Sequence, residues 1–175
     1  MKRSTLLTLS AMIAATLVSC STNKKDKSDD FRWQIDSFDD IRVLRYKVHG
    51  FEELSLEQKE LIYYLNQAAL CGRDIMFDQN FKYNLAIRRT LEAIYTSCDC
   101  DKTSAEWKAF EKYLKKVWFA NGIHHHYSND KFRPEFSKEY FMNELVAKTD
   151  SGLFPQDFGS TEKLMEAIVP AMFDP

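Results

Sequence analysis

Residues 103–122, "TSAEWKAFEKYLKKVWFANG", decide the fold class. Trp107, Phe110, Leu114, Val117 and Trp118 fall at i, i+3, i+7, i+10 and i+11, one continuous stripe of helical period. Lys108, Lys112, Lys115 and Lys116 keep to the other faces. Thr103-Ser104-Ala105-Glu106 has the form of a capping box, which places the start of the helix at Thr103. Asn121-Gly122 is a stop signal, with Gly122 expected to take the left-handed cap. Lys115 and Lys116 in the last turns suit the negative end of the helix dipole. The aromatic stripe reads as a core face.

Working outward, most of the chain carries the same period. Ser55-Leu56-Glu57-Gln58 is a second capping box, and Leu61, Ile62, Leu65, Ala68 and Ala69 recur behind it. Gly72 ends or kinks that helix, and Asp74 to Gln79 can continue it. Tyr83, Ile87, Leu91, Ile94 and Tyr95 mark another helix, with Arg88, Arg89 and Glu92 expected outward. Ser137 to Lys148 predicts a short helix, and Thr149 to Ser160 a loop. Thr161 to Met172 predicts a last helix whose end Pro170 disturbs. Only Ile41 to Tyr46, "IRVLRY", suits a strand. The expectation is a mainly α fold with a small β portion (α+β), its partner strands coming from polypeptide outside this sequence.

The 175 residues are enough for one domain of ordinary size, and 45% hydrophobic with 14% aromatic content is enough for a buried core. A net charge of −2 and the lack of a dense basic run exclude phosphate-driven nucleic-acid binding from the expectations. Lys2 and Arg3 precede a largely apolar stretch, Leu6 to Val18, of signal-peptide length. Leu17-Val18-Ser19-Cys20 then resembles a bacterial lipobox. Residues 1–19 are thus expected to be a lipoprotein signal peptide and Cys20 an acylated N-terminus. Acyl chains there would anchor the protein at a membrane of the cell envelope, facing the periplasm or the surface. Residues 20–30 are polar and read as a flexible tether, so the domain spans 31–175. Without Lys2 and Arg3 the mature chain has 22 basic against 26 acidic side chains. Cys71, Cys98 and Cys100 remain, an odd number that excludes a full disulfide framework and reads as structural thiols.

Just past the aromatic helix stands "ANGIHHHYSNDKF", residues 120–132. In an extended segment His124 and His126 would share one face and His125 the other. A His-x-His pair can supply two zinc ligands, but a site needs a third, for which Asp130 is a carboxylate within reach. A hydrated turn is the competing reading. Tyr127 offers other chemistry: a rigidly held phenol can donate to a carbonyl oxygen that gains negative charge.

Residues 58–95, "QKELIYYLNQAALCGRDIMFDQNFKYNLAIRRTLEAIY", and 107–136, "WKAFEKYLKKVWFANGIHHHYSNDKFRPEF", resemble the N-terminal region of bacterial dipeptidyl peptidase III, a zinc metallopeptidase family. The resemblance runs from about Phe31 to Pro175. It implies the incomplete N-terminal part of a longer, two-lobed hydrolase that releases dipeptides from the N-termini of short peptides. The family's zinc is held through a His-Glu-x-x-Gly-His motif and a later glutamate, and no histidine here is followed by glutamate. Zinc is therefore expected of the whole enzyme, its ligands absent from this chain. The family pattern has Gly-Asn-Tyr followed by Asp-x-Lys-Phe-x-Pro; His126-Tyr127 stands at the Asn-Tyr place and Asp130 to Pro134 follows.

The family's tyrosine bonds the scissile carbonyl, so Tyr127 is the implied catalytic residue, with His124, His125 and His126 as cleft-lining candidates. The rival expectation is a complete small lipoprotein acting as a non-catalytic peptide- or glycan-binding module. The stop at "VPAMFDP", directly after an apolar helix face, looks like an interrupted reading, and the first expectation implies unpaired strand edges, exposed apolar faces and aggregation.

Overall fold

A computed structural model describes residues 31–175, of which Trp33–Pro175 forms one compact unit. The expected signal peptide, the Cys20 acylation site and the tether lie outside the described residues. The chain is mainly helical, with one two-stranded sheet among the described residues.

The sheet is an antiparallel hairpin of β1 (Gln34–Phe38) and β2 (Ile41–Leu44). Phe38 faces Ile41 across a two-residue turn in which Asp39 takes a left-handed conformation, φ 52°. The Arg45 amide extends the pairing to the Trp33 carbonyl at 2.8 Å. The strand expected from Ile41 onward therefore finds its partner within the chain, which corrects the expectation that partner strands lie elsewhere.

Helix α1 (Leu56–Cys71) opens on the expected capping box: Gln58 N–H donates to Ser55 Oγ at 3.3 Å, and Ser55 N–H to Gln58 Oε1 at 2.9 Å. Gly72 stays right-handed, φ −83°, so it bends the chain into α2 (Arg73–Asn80) instead of ending it. No residue of α1 is buried, and Leu61, Ile62, Tyr63, Tyr64 and Leu65 are all exposed.

The core lies among the later helices. In α3 (Asn84–Ser97) Ile87, Leu91 and Ile94 are fully buried. They meet Trp107, Phe110, Leu114 and Val117 of α4 (Ala105–Ala120). Helix α5 (Lys138–Tyr140) runs directly into a π-helical segment, Phe141–Val146, which contributes Phe141 and Leu145. Helix α6 (Thr161–Phe173) adds Leu164, Ile168 and Met172 and continues through Pro170 for three more residues.

Four local expectations are corrected. The α4 cap is Ser104, which accepts from Trp107 N–H at 3.1 Å, because Asp101 Oδ1 holds both the amide and hydroxyl of Thr103, at 2.9 and 2.6 Å. Trp118 continues the stripe by angle but lies over α3, 37% exposed, with its indole N–H donating to Glu92 Oε1 at 2.8 Å. Arg88 is buried, not outward: Asp74 lies 2.8 Å from its Nη2, and the guanidinium sits over the Phe77 ring at 4.7 Å. Arg89 shares that carboxylate, so the two guanidiniums tie α2 to α3, and the Arg89 hydrogen bond, seconded by that of Arg88, holds the Asp74 carboxyl below its ordinary value. The left-handed residue after α4 is Asn121, φ 57°, not Gly122.

Cys71, Cys98 and Cys100 are free thiols. Buried Cys98 reaches the Glu144 carbonyl at 3.7 Å. Burial, with Cys98 beside it, pushes the Cys100 thiol up to about 12, so it is no thiolate nucleophile at neutral pH.

The hairpin is latched to α4 by charge. Lys115 Nζ lies 3.1 Å from Asp36, and Lys116 pairs with Asp39. The Lys116 hydrogen bond holds the Asp39 carboxyl below its ordinary value, and Asp36 holds the Lys115 ammonium above its own. The depressed carboxyl stabilises the fold above the unfolded aspartate value, and this is lost as pH falls through the folded value, below about pH 4. The raised ammonium stabilises the fold below the unfolded lysine value, and this is lost as pH rises beyond about 10.5. A double-mutant cycle on Asp39→Asn and Lys116→Gln, read by urea unfolding at neutral pH, is expected to give about 0.5 kcal/mol of coupling. The coupling should fade as pH falls from about 4 through the lowered Asp39 value and shrink in about 1 M salt; coupling that survives protonation of Asp39 and salt means the latch is not electrostatic.

Candidate functional site

The histidine segment begins where α4 stops. Asn121 and Gly122 both close back on the Val117 carbonyl, the latter at 3.0 Å. Ile123 then turns inward and is buried. Its amide donates to Asn84 Oδ1 at 3.1 Å, within the core. Gly122 has φ +152°, and a Cβ there would lie 2.1 Å from Asn84 Nδ2, so glycine is required by both backbone and space.

From this root the chain forms a small two-sided loop. Phe132 N–H donates to the Ile123 carbonyl and His125 N–H to that of Asp130, both at 2.8 Å, with a bridge between His124 and Lys131. Ser128 N–H returns to the His125 carbonyl at 3.1 Å, which makes the tip a turn. The extended alternation expected of the three histidines therefore holds only at its start. His124 packs edge-on to Phe81, with ring centres 5.5 Å apart. His125 and His126 lie side by side, 4.5 Å apart, and His126 meets Tyr127 at 4.2 Å. Phe119 of α4 supports His126 edge-on at 5.4 Å.

Tyr127 stands at the tip, 88% exposed. Its amide donates to His125 Nδ1 at 3.2 Å, which orders the backbone beneath the phenol. Asp130, the carboxylate within reach of the imidazoles, is engaged by the Ser128 hydroxyl at 2.9 Å. Among the described residues no group of three or more His, Cys, Asp or Glu side chains is placed to hold a metal ion. His49 is exposed beside Gly50, outside this loop.

A cleft of about 530 Å³ runs along one side of the loop. It is lined by His124 to Asn129, by Ala120, Asn121 and Gly122 at the α4 end, and by Asn80 and Asn84 at the α2 and α3 ends. No Lys, Arg, Asp or Glu lines it, so its recognition chemistry is hydrogen bonding and stacking. His125 and His126 also border a cleft of about 400 Å³ on the other side, against Asp39, Asp40 and Arg42 of the hairpin.

Asn80 and Asn84 were outside the sequence expectations. The signal was present at Asn84, which falls at i−3 and i−7 from Ile87 and Leu91: an amide on an otherwise apolar buried stripe. Nothing in the spacing marks Asn80, whose side chain reaches the Asn121 carbonyl at 3.4 Å.

Gly122→Ala is expected to cost about 1–3 kcal/mol in urea unfolding, since it forces both a strained backbone and displacement of the Asn84 amide. A change below about 0.5 kcal/mol would show that the loop root is not fixed as described.

No protein-family model matches the chain, and no curated protein matches it.

Proposed function

We propose that this chain supplies part of the substrate cleft of a dipeptidyl peptidase III-like zinc peptidase, which releases dipeptides from the N-termini of short peptides. The observation that carries the reading is Tyr127: a phenol 88% exposed at the tip of a loop rooted in the core, beside a cleft with no charged lining. The resemblance of residues 107–136 to that family supplies the chemistry. The Tyr127 hydroxyl donates to the scissile carbonyl oxygen as it gains negative charge, a contact worth ~3 kcal/mol in such sites. Asn84 and Gly122 fix the loop, and the imidazoles of His125 and His126 flank the phenol.

The residues present do not fit the zinc. Among the described residues the side-by-side imidazoles meet no third donor, and the His-Glu-x-x-Gly-His motif is not in the sequence. In this proposal the zinc ligands belong to polypeptide beyond the sequence, and the acylated Cys20 holds the enzyme at the cell envelope.

A non-catalytic peptide- or glycan-binding module is the second reading. It is favoured by one observation: the described residues close a core by themselves around α3, α4 and α6.

The intact gene product separates the readings, since the purified chain is inactive under both. The purified chain with added zinc is expected to release nothing from a dipeptidyl arylamide. In the intact gene product, Tyr127→Phe is expected to lower kcat by about 10²–10³ with KM nearly unchanged. An unchanged kcat overturns the assigned role, and an intact gene product without peptidase activity favours the binding module.

A further inference from the structure

Asn84 is 0% exposed, yet its Nδ2 has no hydrogen-bond partner. Its other end is engaged, because Oδ1 accepts from the Ile123 amide at 3.1 Å. That bond fixes the orientation of the carboxamide: turned over, it would set one donor against another. A buried donor left unmade is costly, and Asn84 is among the residues that line the cleft holding Tyr127.

Gly122 shows where the donor sits. A Cβ on Gly122 would come within 2.1 Å of Nδ2 and 2.6 Å of Cγ. The Asn84 carboxamide thus fills the place of the side chain that residue 122 lacks, and both residues line the cleft. The occupant must bring an acceptor to this donor without bringing charge, since no charged side chain lines the cleft. A peptide carbonyl does so. A sugar hydroxyl can accept as well, and the choice of a peptide follows from the peptidase reading above.

We propose that Asn84 Nδ2 donates a hydrogen bond to a main-chain carbonyl oxygen of a peptide seated in this cleft. This rests on the peptidase reading above and adds a substrate contact from the core to the one made by Tyr127. It also assigns a purpose to the required glycine, which keeps clear the place the carboxamide occupies.

The test is titration of the ¹⁵N-labelled full chain with tetra-alanine at millimolar concentration. The Asn84 side-chain amide pair is expected to shift saturably. Asn84→Asp keeps an acceptor for the Ile123 amide and removes the donor, and it is expected to weaken tetra-alanine affinity about fivefold to tenfold. Should that variant not fold, the wild-type amide shift decides alone. Shifts at Gly122 and His124 with the Asn84 pair unmoved overturn this contact and leave the peptidase reading standing. No shift anywhere overturns the contact, while the peptidase reading is judged separately by the Tyr127→Phe kinetics. An Asn84 shift with maltotriose but not with tetra-alanine overturns it in favour of a glycan-binding cleft.

Discussion

One hydrogen bond couples the surface loop to the interior: Ile123 N–H to the buried Asn84 oxygen. Asn84 opens α3 and Ile123 follows α4, so the bond joins the two central helices of the core where the exposed loop departs. With Ile123 held and Gly122 too close to Asn84 for any side chain, the chain has one way out of α4. The ladder from Ile123–Phe132 to His125–Asp130 then carries the chain to the tip, where Tyr127 stands exposed. Orientation of this kind is what a hydrogen-bond donor to a reacting carbonyl requires.

The remainder of the unit divides by the kind of force that holds it. Apolar packing joins α3, α4, the π-helical segment and α6. Charge adds to this at the margins: Asp74 clamps α2, whose Phe77 also enters the core, through Arg88 and Arg89, and Lys115 and Lys116 latch the hairpin. Helix α1 belongs to neither group. It is apolar around most of its circumference and buries no residue against the described chain. A helix with that composition is ordinarily surrounded by protein, which accords with the proposal that this unit is part of a larger enzyme.

Local rules were legible wherever neighbouring residues settle the outcome. The Ser55 box rests on contacts within a few residues, and the α4 stripe on helical period alone. Signals failed where a distant or competing partner intervened. Asp101 claimed Thr103 and moved the α4 cap by one residue. Asp74 turned Arg88 from a surface charge into a buried one. β1, "QIDSF", has little strand propensity and exists because it pairs with β2 and meets Lys115 of α4. The candidate site was half visible: Tyr127 and the histidines came from a motif, whereas the Asn84 floor came only from knowing that α3 and the α4 exit meet. The amide on an apolar stripe marked that residue as unusual without saying what it faced.

The central claim is that the loop is rooted in the core, and native-state amide hydrogen exchange tests it most directly. The Ile123 amide should exchange as slowly as Leu114 and Val117 of α4, opening only with the whole unit, while the Asn129 amide at the tip exchanges freely. Exchange of Ile123 at the rate of the exposed tip would contradict the account, since the loop would then open without the core and no fixed direction could be assigned to Tyr127.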